Sequence, residues 1–147
     1  MTDKEVGAMR DVAQAMFDQA LADERHEFGS FFLSRFLGMQ ISYESDSCIV
    51  SFEVKPPMYN PQGSLHGGVL ATALDISMGH LLNHRIGAGS TLEMKVQYFS
   101  PARSGLVRCQ SGFLKKGRSI FFLQSHAYDA AGETLAHATS TWKLLKK

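Results

Sequence analysis

Apolar residues recur at helical spacing along the first 36 positions of the chain. A spacing of three or four residues is typical of an α-helix with one buried face, and the series consists of Val6, Met9, Val12, Ala13, Met16, Phe17, Leu21, Phe28, Phe31, Phe32 and Phe36. The charged run Asp-Glu-Arg-His-Glu at 23–27 interrupts it. We therefore predict one or two helices with a break near that run, and treat residues 1–36 as a helical extension packed on a domain formed by residues 37–147.

Alternation of apolar and polar residues, typical of half-buried β-strands, dominates the rest of the chain. Two short runs come first, with Leu37, Met39, Ile41 and Tyr43 in one and Val50, Phe52 and Val54 in the other, separated by a turn at 45–47. Four longer runs follow, at 92–98, 106–114, 120–128 and 134–144. Long strands joined by short turns favour an antiparallel meander.

A segment of different character separates the two groups of strands. Three prolines and a glycine exclude regular structure from residues 55–64, so this part is predicted to be a loop. The next residues are apolar around most of a helical circumference, which predicts a helix buried on nearly all sides, with Asp75 in its middle. Five or six antiparallel strands can bury such a helix by curling around it, so the predicted class is α+β.

Composition restricts the range of functions. The 15 basic and 14 acidic residues nearly cancel, which argues against nucleic acid or an anionic membrane as a partner. Cys48 and Cys109 lie in strand-like runs and are expected to be reduced core residues. Neither a signal-peptide pattern nor an apolar window of about 18 to 20 residues occurs. One cytoplasmic domain is expected.

The entrance to the predicted helix, from Asn60 to Gly68, is rich in glycine. Each glycine costs a helix about 1 kcal/mol relative to alanine, so another factor must favour them. One explanation is a ligand that approaches the unpaired N–H groups of the helix start, where the Gly67 amide could stabilise an oxyanion. The other is a tight turn or close packing of helix against sheet.

Asp75 is the second candidate functional residue. A carboxylate among Leu74, Ile76 and Met78 is costly to bury without a partner or a task, and its pKa rises toward values useful for a base or a nucleophile. The alternative is a carboxylate satisfied by a buried hydrogen-bond network.

The spacing of these two residues predicts a dimer, if they cooperate. Gly67 and Asp75 are separated by about 12 Å of helix, too far for both to contact one carbonyl group. Two copies of the helix packed antiparallel about a two-fold axis would bring Gly67 of one copy close to Asp75 of the other, forming two equivalent sites.

The segment His66-Gly-Gly-Val-Leu-Ala-Thr-Ala-Leu-Asp75 resembles the hotdog-fold acyl-CoA thioesterases, in particular the phenylacetate-degradation type with its pattern Asn…Gly-x-x-His-Gly-Gly…Asp. The resemblance extends over residues 37–144. It includes a strand with a Tyr-x-x-Pro end at 91–102, the turn Lys116-Gly-Arg-Ser119 and a last strand at 132–141. It implies a curved antiparallel sheet of five or six strands around one long helix.

The resemblance also implies roles for individual residues. Asp75 matches the catalytic carboxylate, either general base or nucleophile, and Gly67 the amide that polarises the thioester carbonyl. Asn60 and His66 match polar residues of the same pocket, and Thr91 matches a position that helps to place the water, in the subunit that supplies Asp75.

Substrate binding and assembly follow from the same resemblance. Gly68 at the helix entrance and the turn of Lys116, Gly117, Arg118 and Ser119 are expected to contact the acyl-CoA substrate, the turn lying near the CoA phosphates. The family forms homodimers and tetramers of two dimers. No cofactor is implied, since CoA is part of the substrate. The aromatic residues Phe28, Phe31, Phe32 and Phe36 either bound the acyl site or pack in the core.

Other chemistries have weaker support. His80 and His84 are spaced for one metal but lack the Glu of HExxH and a third ligand, so no metal site is expected. No G-x-S-x-G motif occurs, and neither cysteine has a nucleophile signature. Two alternatives stay open on the same fold: an acyl-thioester hydratase or dehydratase, and a non-catalytic acyl-CoA-binding module. Aromatic, hydroxylated and medium-chain acyl groups all stay open as substrates.

Overall fold

The computed structural model describes residues 1–146, which form three α-helices and one six-stranded sheet. In chain order the elements are α1 Asp3–Asp23, α2 Phe32–Phe36, β1 Gln40–Glu44, β2 Ser47–Glu53, α3 Gly67–Arg85, β3 Gly89–Tyr98, β4 Leu106–Lys116, β5 Ile120–Tyr128 and β6 Thr134–Leu144. A single 3₁₀ turn, Pro56–Met58, lies in the loop before α3.

The N-terminal extension is two helices with a break at the charged run, as predicted. A capping box starts α1, because the Thr2 hydroxyl accepts a hydrogen bond from the Glu5 amide and the Glu5 carboxylate accepts one from the Thr2 amide. The helix packs against α2 and the 3₁₀ turn, and buries Met16 and Ala20. The boundary between residues 36 and 37 as a domain limit stays a prediction.

The sheet is antiparallel with strand order β1-β2-β4-β5-β6-β3. The meander prediction is correct for β4, β5 and β6 but wrong for β3, which pairs with β6 at the far edge of the sheet. The reason is α3, which connects β2 to β3 and carries the chain across the sheet, so β2 and β4 become neighbours.

The first predicted strand is also too long. The observed strand β1 begins at Gln40 and not at Leu37, because Leu37 caps the end of α2 and Gly38 turns the chain with φ of 65°. Leu37 and Met39 are nevertheless buried. Their apolar character reflects packing in an irregular segment.

The core lies between α3 and the concave face of the sheet, and α3 contacts every strand from β2 to β6. This confirms the α+β class. The prediction that α3 is buried on nearly all sides is wrong for one stripe, since Gly68, Ala71, Thr72 and Asp75 remain partly or fully exposed. The stripe faces the side of β3, the edge strand, because Thr91 of β3 bonds to Asp75.

Candidate active site

The loop before α3 is closed by the side chain of Asn60. Its amide oxygen accepts hydrogen bonds from the backbone N–H groups of Gln62 and Ser64, at 3.0 and 3.2 Å, and its amide nitrogen donates to the Ser64 hydroxyl at 3.1 Å. Gly63 allows this turn with φ of 76°. Asn60 therefore shapes the loop that leads to the helix.

Two side chains hold the peptide unit between Gly67 and Gly68. His66 is the N-cap residue of α3, and its Nδ1 accepts a hydrogen bond of 2.9 Å from the Gly68 amide. The Tyr98 hydroxyl donates a hydrogen bond of 2.7 Å to the Gly67 carbonyl oxygen. Within residues 1–146 the Gly67 amide donates no hydrogen bond, so it is the unused N–H of the first turn.

The same contacts explain the glycines. A Cβ on Gly67 would lie 3.2–3.3 Å from the Tyr98 ring and hydroxyl, and one on Gly68 would lie 3.1 Å from the His66 ring. Close packing of helix against sheet, the second of the two explanations above, therefore accounts for Gly67, whereas Gly68 leaves room for the ring of the N-cap residue His66. The Gly67 amide remains available to a ligand, whereas the Gly68 amide is used by His66.

A cavity of about 320 Å³ opens beside Gly67. Asn60 and Ser64 of the loop line it, together with Tyr98 and Phe99 at the end of β3. Tyr98 is the functional candidate that the sequence reasoning did not single out, although it is the tyrosine of the Tyr-x-x-Pro end of that strand.

Asp75 lies half-buried on the uncovered stripe of α3. The Thr91 hydroxyl donates a hydrogen bond of 2.9 Å to its carboxylate, and no other hydrogen bond or ion pair reaches that carboxylate within residues 1–146. Burial raises the pKa of Asp75 above its usual value, while the Thr91 hydrogen bond opposes the rise. The alternative, a carboxylate satisfied by a buried hydrogen-bond network, is therefore not supported, since among residues 1–146 only the Thr91 hydroxyl bonds to Asp75.

Asp75 opens to a different cavity from Gly67. This second cavity, of about 480 Å³, is lined by Phe31, Leu33, Thr72 and Met94 among others. Of the four aromatic residues weighed from the sequence, Phe31 lies here. Within one chain, the Asp75 carboxylate and the Gly67 amide therefore line separate cavities, in agreement with their spacing along α3.

The turn after β4 lies at the other end of α3. Lys116 Nζ lies 3.1 Å from the Asp46 carboxylate, which also pairs with Arg85 at 2.7 Å, and these cations lower the pKa of Asp46, Lys116 most of all. Arg85 is the last residue of α3, about 27 Å along the helix from Gly67. One chain does not bring the turn and the Gly67 amide together.

Gly117 in this turn has a structural explanation. Its N–H donates a hydrogen bond of 3.0 Å to the Ile120 carbonyl oxygen, and a Cβ at this position would overlap that oxygen. The turn is tied to the sheet by the Ser119 carbonyl oxygen, which accepts a hydrogen bond from the Leu144 amide. No ion pair involves Arg118 in the part of the chain that is described.

The histidines of α3 belong to an aromatic cluster. His80 is buried, its Nδ1 lies 3.2 Å from the Tyr43 hydroxyl, and burial lowers its pKa to about 4. The Tyr43 ring stacks on His84 with ring centroids 4.0 Å apart. Residues 1–146 contain no group of three or more His, Cys, Asp or Glu side chains placed to hold a metal. Cys48 and Cys109 are free and buried.

Comparison with known proteins decides the family. A family model described as the thioesterase superfamily matches residues 62–136, the segment that runs from the loop before α3 into β6. The chain belongs to this family. The predicted enzyme class, a thioester hydrolase, is thereby confirmed.

Similar proteins include named acyl-CoA thioesterases. The medium/long-chain acyl-CoA thioesterase YigI of Escherichia coli strain K12 is 27% identical over 128 residues, covering 74% of this chain and 83% of that protein. Acyl-coenzyme A thioesterase 13 of Mus musculus is 29% identical over 85 residues, covering 56% of this chain and 61% of that protein.

Solved structures confirm the hotdog fold. The BH2602 protein of Bacillus halodurans, solved with CoA, superposes with a TM-score of 0.83 at 24% identity, covering 94% of this chain and 93% of that one. A putative thioesterase related to phenylacetic acid degradation from Ralstonia eutropha JMP134 gives a TM-score of 0.73 at 23% identity, with coverages of 88% and 99%. In residues 1–146, none of the helices combines the length and apolar character needed to span a membrane.

Proposed function

We propose that this thioesterase-superfamily protein hydrolyses acyl-CoA to a free acid and CoA, with Asp75 and the Gly67 amide acting from different subunits. The observation that carries the proposal is the half-buried Asp75 carboxylate, whose single hydrogen bond within residues 1–146 comes from Thr91. The E. coli relative named an acyl-CoA thioesterase supports the substrate class.

A second copy of the chain completes the site in this proposal. Among residues 1–146, the edge strand β3 pairs with β6 alone, so its other edge is free to pair. The uncovered stripe of α3 lies beside it and carries Asp75. Antiparallel pairing about a two-fold axis would bury both surfaces and set each Asp75 against the partner's helix start. A homodimer, or a tetramer of two such dimers, is the proposed assembly.

In the general-base route, the Asp75 carboxylate takes a proton from water as the oxygen of that water attacks the thioester carbonyl carbon. The developing oxyanion accepts a hydrogen bond from the free Gly67 amide at the positive end of α3. Collapse of the intermediate breaks the carbon–sulfur bond and releases the acid, and the proton passes to the CoA sulfur.

In the nucleophile route, the carboxylate itself attacks the carbonyl carbon and displaces CoA as thiolate. The resulting mixed anhydride is then hydrolysed by water, which regenerates Asp75. Thr91 would hold the carboxylate in place in both routes, and His66 and Asn60 would fix the helix entrance through the hydrogen bonds described above.

The CoA part of the substrate is proposed to contact the turn of Lys116, Gly117, Arg118 and Ser119. In one chain this turn lies at the far end of α3 from Gly67. The turn and the Gly67 amide of the same chain are thus about 27 Å apart along the helix. We therefore propose that the turn contacting a given CoA molecule comes from a different subunit than the Gly67 amide of that site.

The proposal is tested by thiol release from a panel of acyl-CoA thioesters. Asp75→Ala and Asp75→Asn should each lose nearly all turnover and keep the wild-type oligomeric state, whereas Asp11→Asn, an exposed carboxylate on α1, should be unaffected. Near-wild-type turnover by Asp75→Ala contradicts the mechanism. Reversible change of an enoyl absorbance without thiol indicates a hydratase or dehydratase, and binding without turnover indicates a binding module.

A further inference from the structure

A large apolar cavity lies between the first half of α1 and the loop before α3. Its volume is about 670 Å³, and its apolar lining comes from Ala8, Met9 and Val12 of α1 and from Pro56, Tyr59 and Pro61 of the loop. We propose that this cavity, here called the α1 cavity, receives the hydrocarbon tail of the acyl group, so that α1 determines acyl chain length. The inference rests on the proposed function.

The position of the α1 cavity supports this occupant. Asn60 lines both the α1 cavity and the cavity beside the Gly67 amide, so the two are separated only by the loop that Asn60 closes. A carbonyl group held by the Gly67 amide would have its attached chain beside this loop. Tyr59, which lines the α1 cavity, is fixed by a hydrogen bond of 2.6 Å from its hydroxyl to the Arg103 carbonyl oxygen.

The size of the cavity fits a long chain. A methylene group occupies about the volume of a liquid water molecule, about 30 Å³, so a chain of about 16 carbons needs about 480 Å³. The α1 cavity has about 670 Å³. A two-carbon acyl group would contact little of its apolar lining.

The first half of α1 lines the cavity with residues that are not fully buried, although Val12 also packs partly against the core. The buried residues of this helix, Met16 and Ala20, both lie in its second half. Ala8, Met9 and Val12 lie on one face at helical spacing and turn that face to the cavity. Methionine is flexible, so Met9 can adapt to chains of different length. The capping box of Thr2 and Glu5 keeps this half helical.

The test is an acyl-chain-length profile of wild type, Met9→Trp and Gln14→Trp, measured by thiol release from four-, eight-, twelve- and sixteen-carbon acyl-CoA. Met9→Trp narrows the cavity by placing a large rigid ring on its α1 side. Gln14→Trp adds the same ring at an exposed position on the opposite face. We expect Met9→Trp to raise KM for the two longest substrates at least tenfold and to change kcat/KM for the shortest less than twofold. Gln14→Trp should keep the wild-type profile.

Two results overturn the inference. One is an unchanged chain-length profile in a folded Met9→Trp protein. If the profile is unchanged but the oligomeric state of Met9→Trp differs from wild type, the occupant of the cavity is a second copy of the chain. The other is a wild type that hydrolyses only short chains. If Met9→Trp does not fold, the smaller replacement Ala8→Leu serves the same comparison. Absence of thiol release by wild type from every substrate instead contradicts the proposed function, and the inference with it.

Discussion

The Tyr98 hydroxyl donates a hydrogen bond of 2.7 Å to the carbonyl oxygen of Gly67, the first residue of α3. His66 holds the N–H of the same peptide unit from the other side. The two contacts fix the backbone on the C-terminal side of Gly67 and leave the Gly67 amide free. In the proposed site, Tyr98 is therefore placed to act as a positioning residue for that amide.

Tyr98→Phe should therefore lower kcat for acyl-CoA about 5- to 20-fold, less than the 10²- to 10³-fold loss typical of removing an oxyanion donor itself. The ring, and with it the packing on Gly67, is retained, so KM and the melting temperature should change little. Tyr128→Phe, on β5, is the matched control. An unchanged kcat in Tyr98→Phe would show that the hydrogen bond has no part in positioning the amide.

Thr91→Val should shift the acid limb of the pH profile upward. The carboxylate form of Asp75 is the active one in the proposal, so activity rises with pH through the pKa of Asp75, which burial places above its ordinary value. Thr91 lowers that pKa, and valine removes the hydroxyl that does so. Steady-state kcat/KM from pH 4 to 9 measures the shift, and Thr91→Ser should keep the wild-type profile. If the acid limb does not move in Thr91→Val, Asp75 is not the group whose ionisation sets that limb.

Asp75→Asn should raise the melting temperature at neutral pH. A carboxyl whose folded pKa exceeds its unfolded value binds more protons when folded, so its contribution to stability is present below the unfolded pKa and decreases as pH rises through the folded one. The neutral amide avoids this loss. Thermal melts at pH 7 and pH 4 measure the effect, which should shrink at the lower pH. A lower melting temperature at pH 7 would indicate that the carboxylate stabilises the fold.

Gly117→Ala should lower the melting temperature by several degrees, corresponding to about 1–3 kcal/mol, because the new Cβ would overlap the Ile120 carbonyl oxygen. Gly112→Ala, in β4, is the control, because its Cβ would meet no atom within 4 Å. Thermal melts of both variants without substrate make the comparison. Equal melting temperatures would leave CoA contact as the remaining reason for a glycine at 117.

The strands of the second half of the chain could be predicted because their information is local. Alternation and turn residues located β5 at 120–128 and β6 at 134–144 with the bounds that the structure has. The position of β3 could not be found in this way. It depends on where α3 delivers the chain across the sheet, which is a property of the whole core and not of the residues in β3.

The candidate site was predictable to a similar extent. Asp75 stood out because a carboxylate in an apolar helix is costly, and its separation from Gly67 could be calculated from helix geometry. The contacts of Tyr98 with Gly67 and of Lys116 with Asp46 join residues 31 and 70 positions apart. No local sequence pattern encodes such pairings, so these partners are apparent only in the three-dimensional structure.

The claim that two chains share each site is tested most directly by mixing two inactive variants. Gly67→Pro removes the amide at a helix position where proline is tolerated, and His66, with φ of −61° and ψ of 131°, already has the conformation required before proline. Gly67→Ala keeps the amide with a similar Cβ and is the control for packing against Tyr98. Asp75→Asn removes the carboxylate charge.

Thiol release from acyl-CoA is then measured for two variants, Gly67→Pro and Asp75→Asn, each alone and after the two are refolded together. Each variant alone should be nearly inactive. The mixture should regain roughly a quarter of wild-type activity, since random pairing makes half of the dimers mixed and each mixed dimer has one intact site. A mixture that forms mixed dimers and stays as inactive as its parents would contradict the shared site.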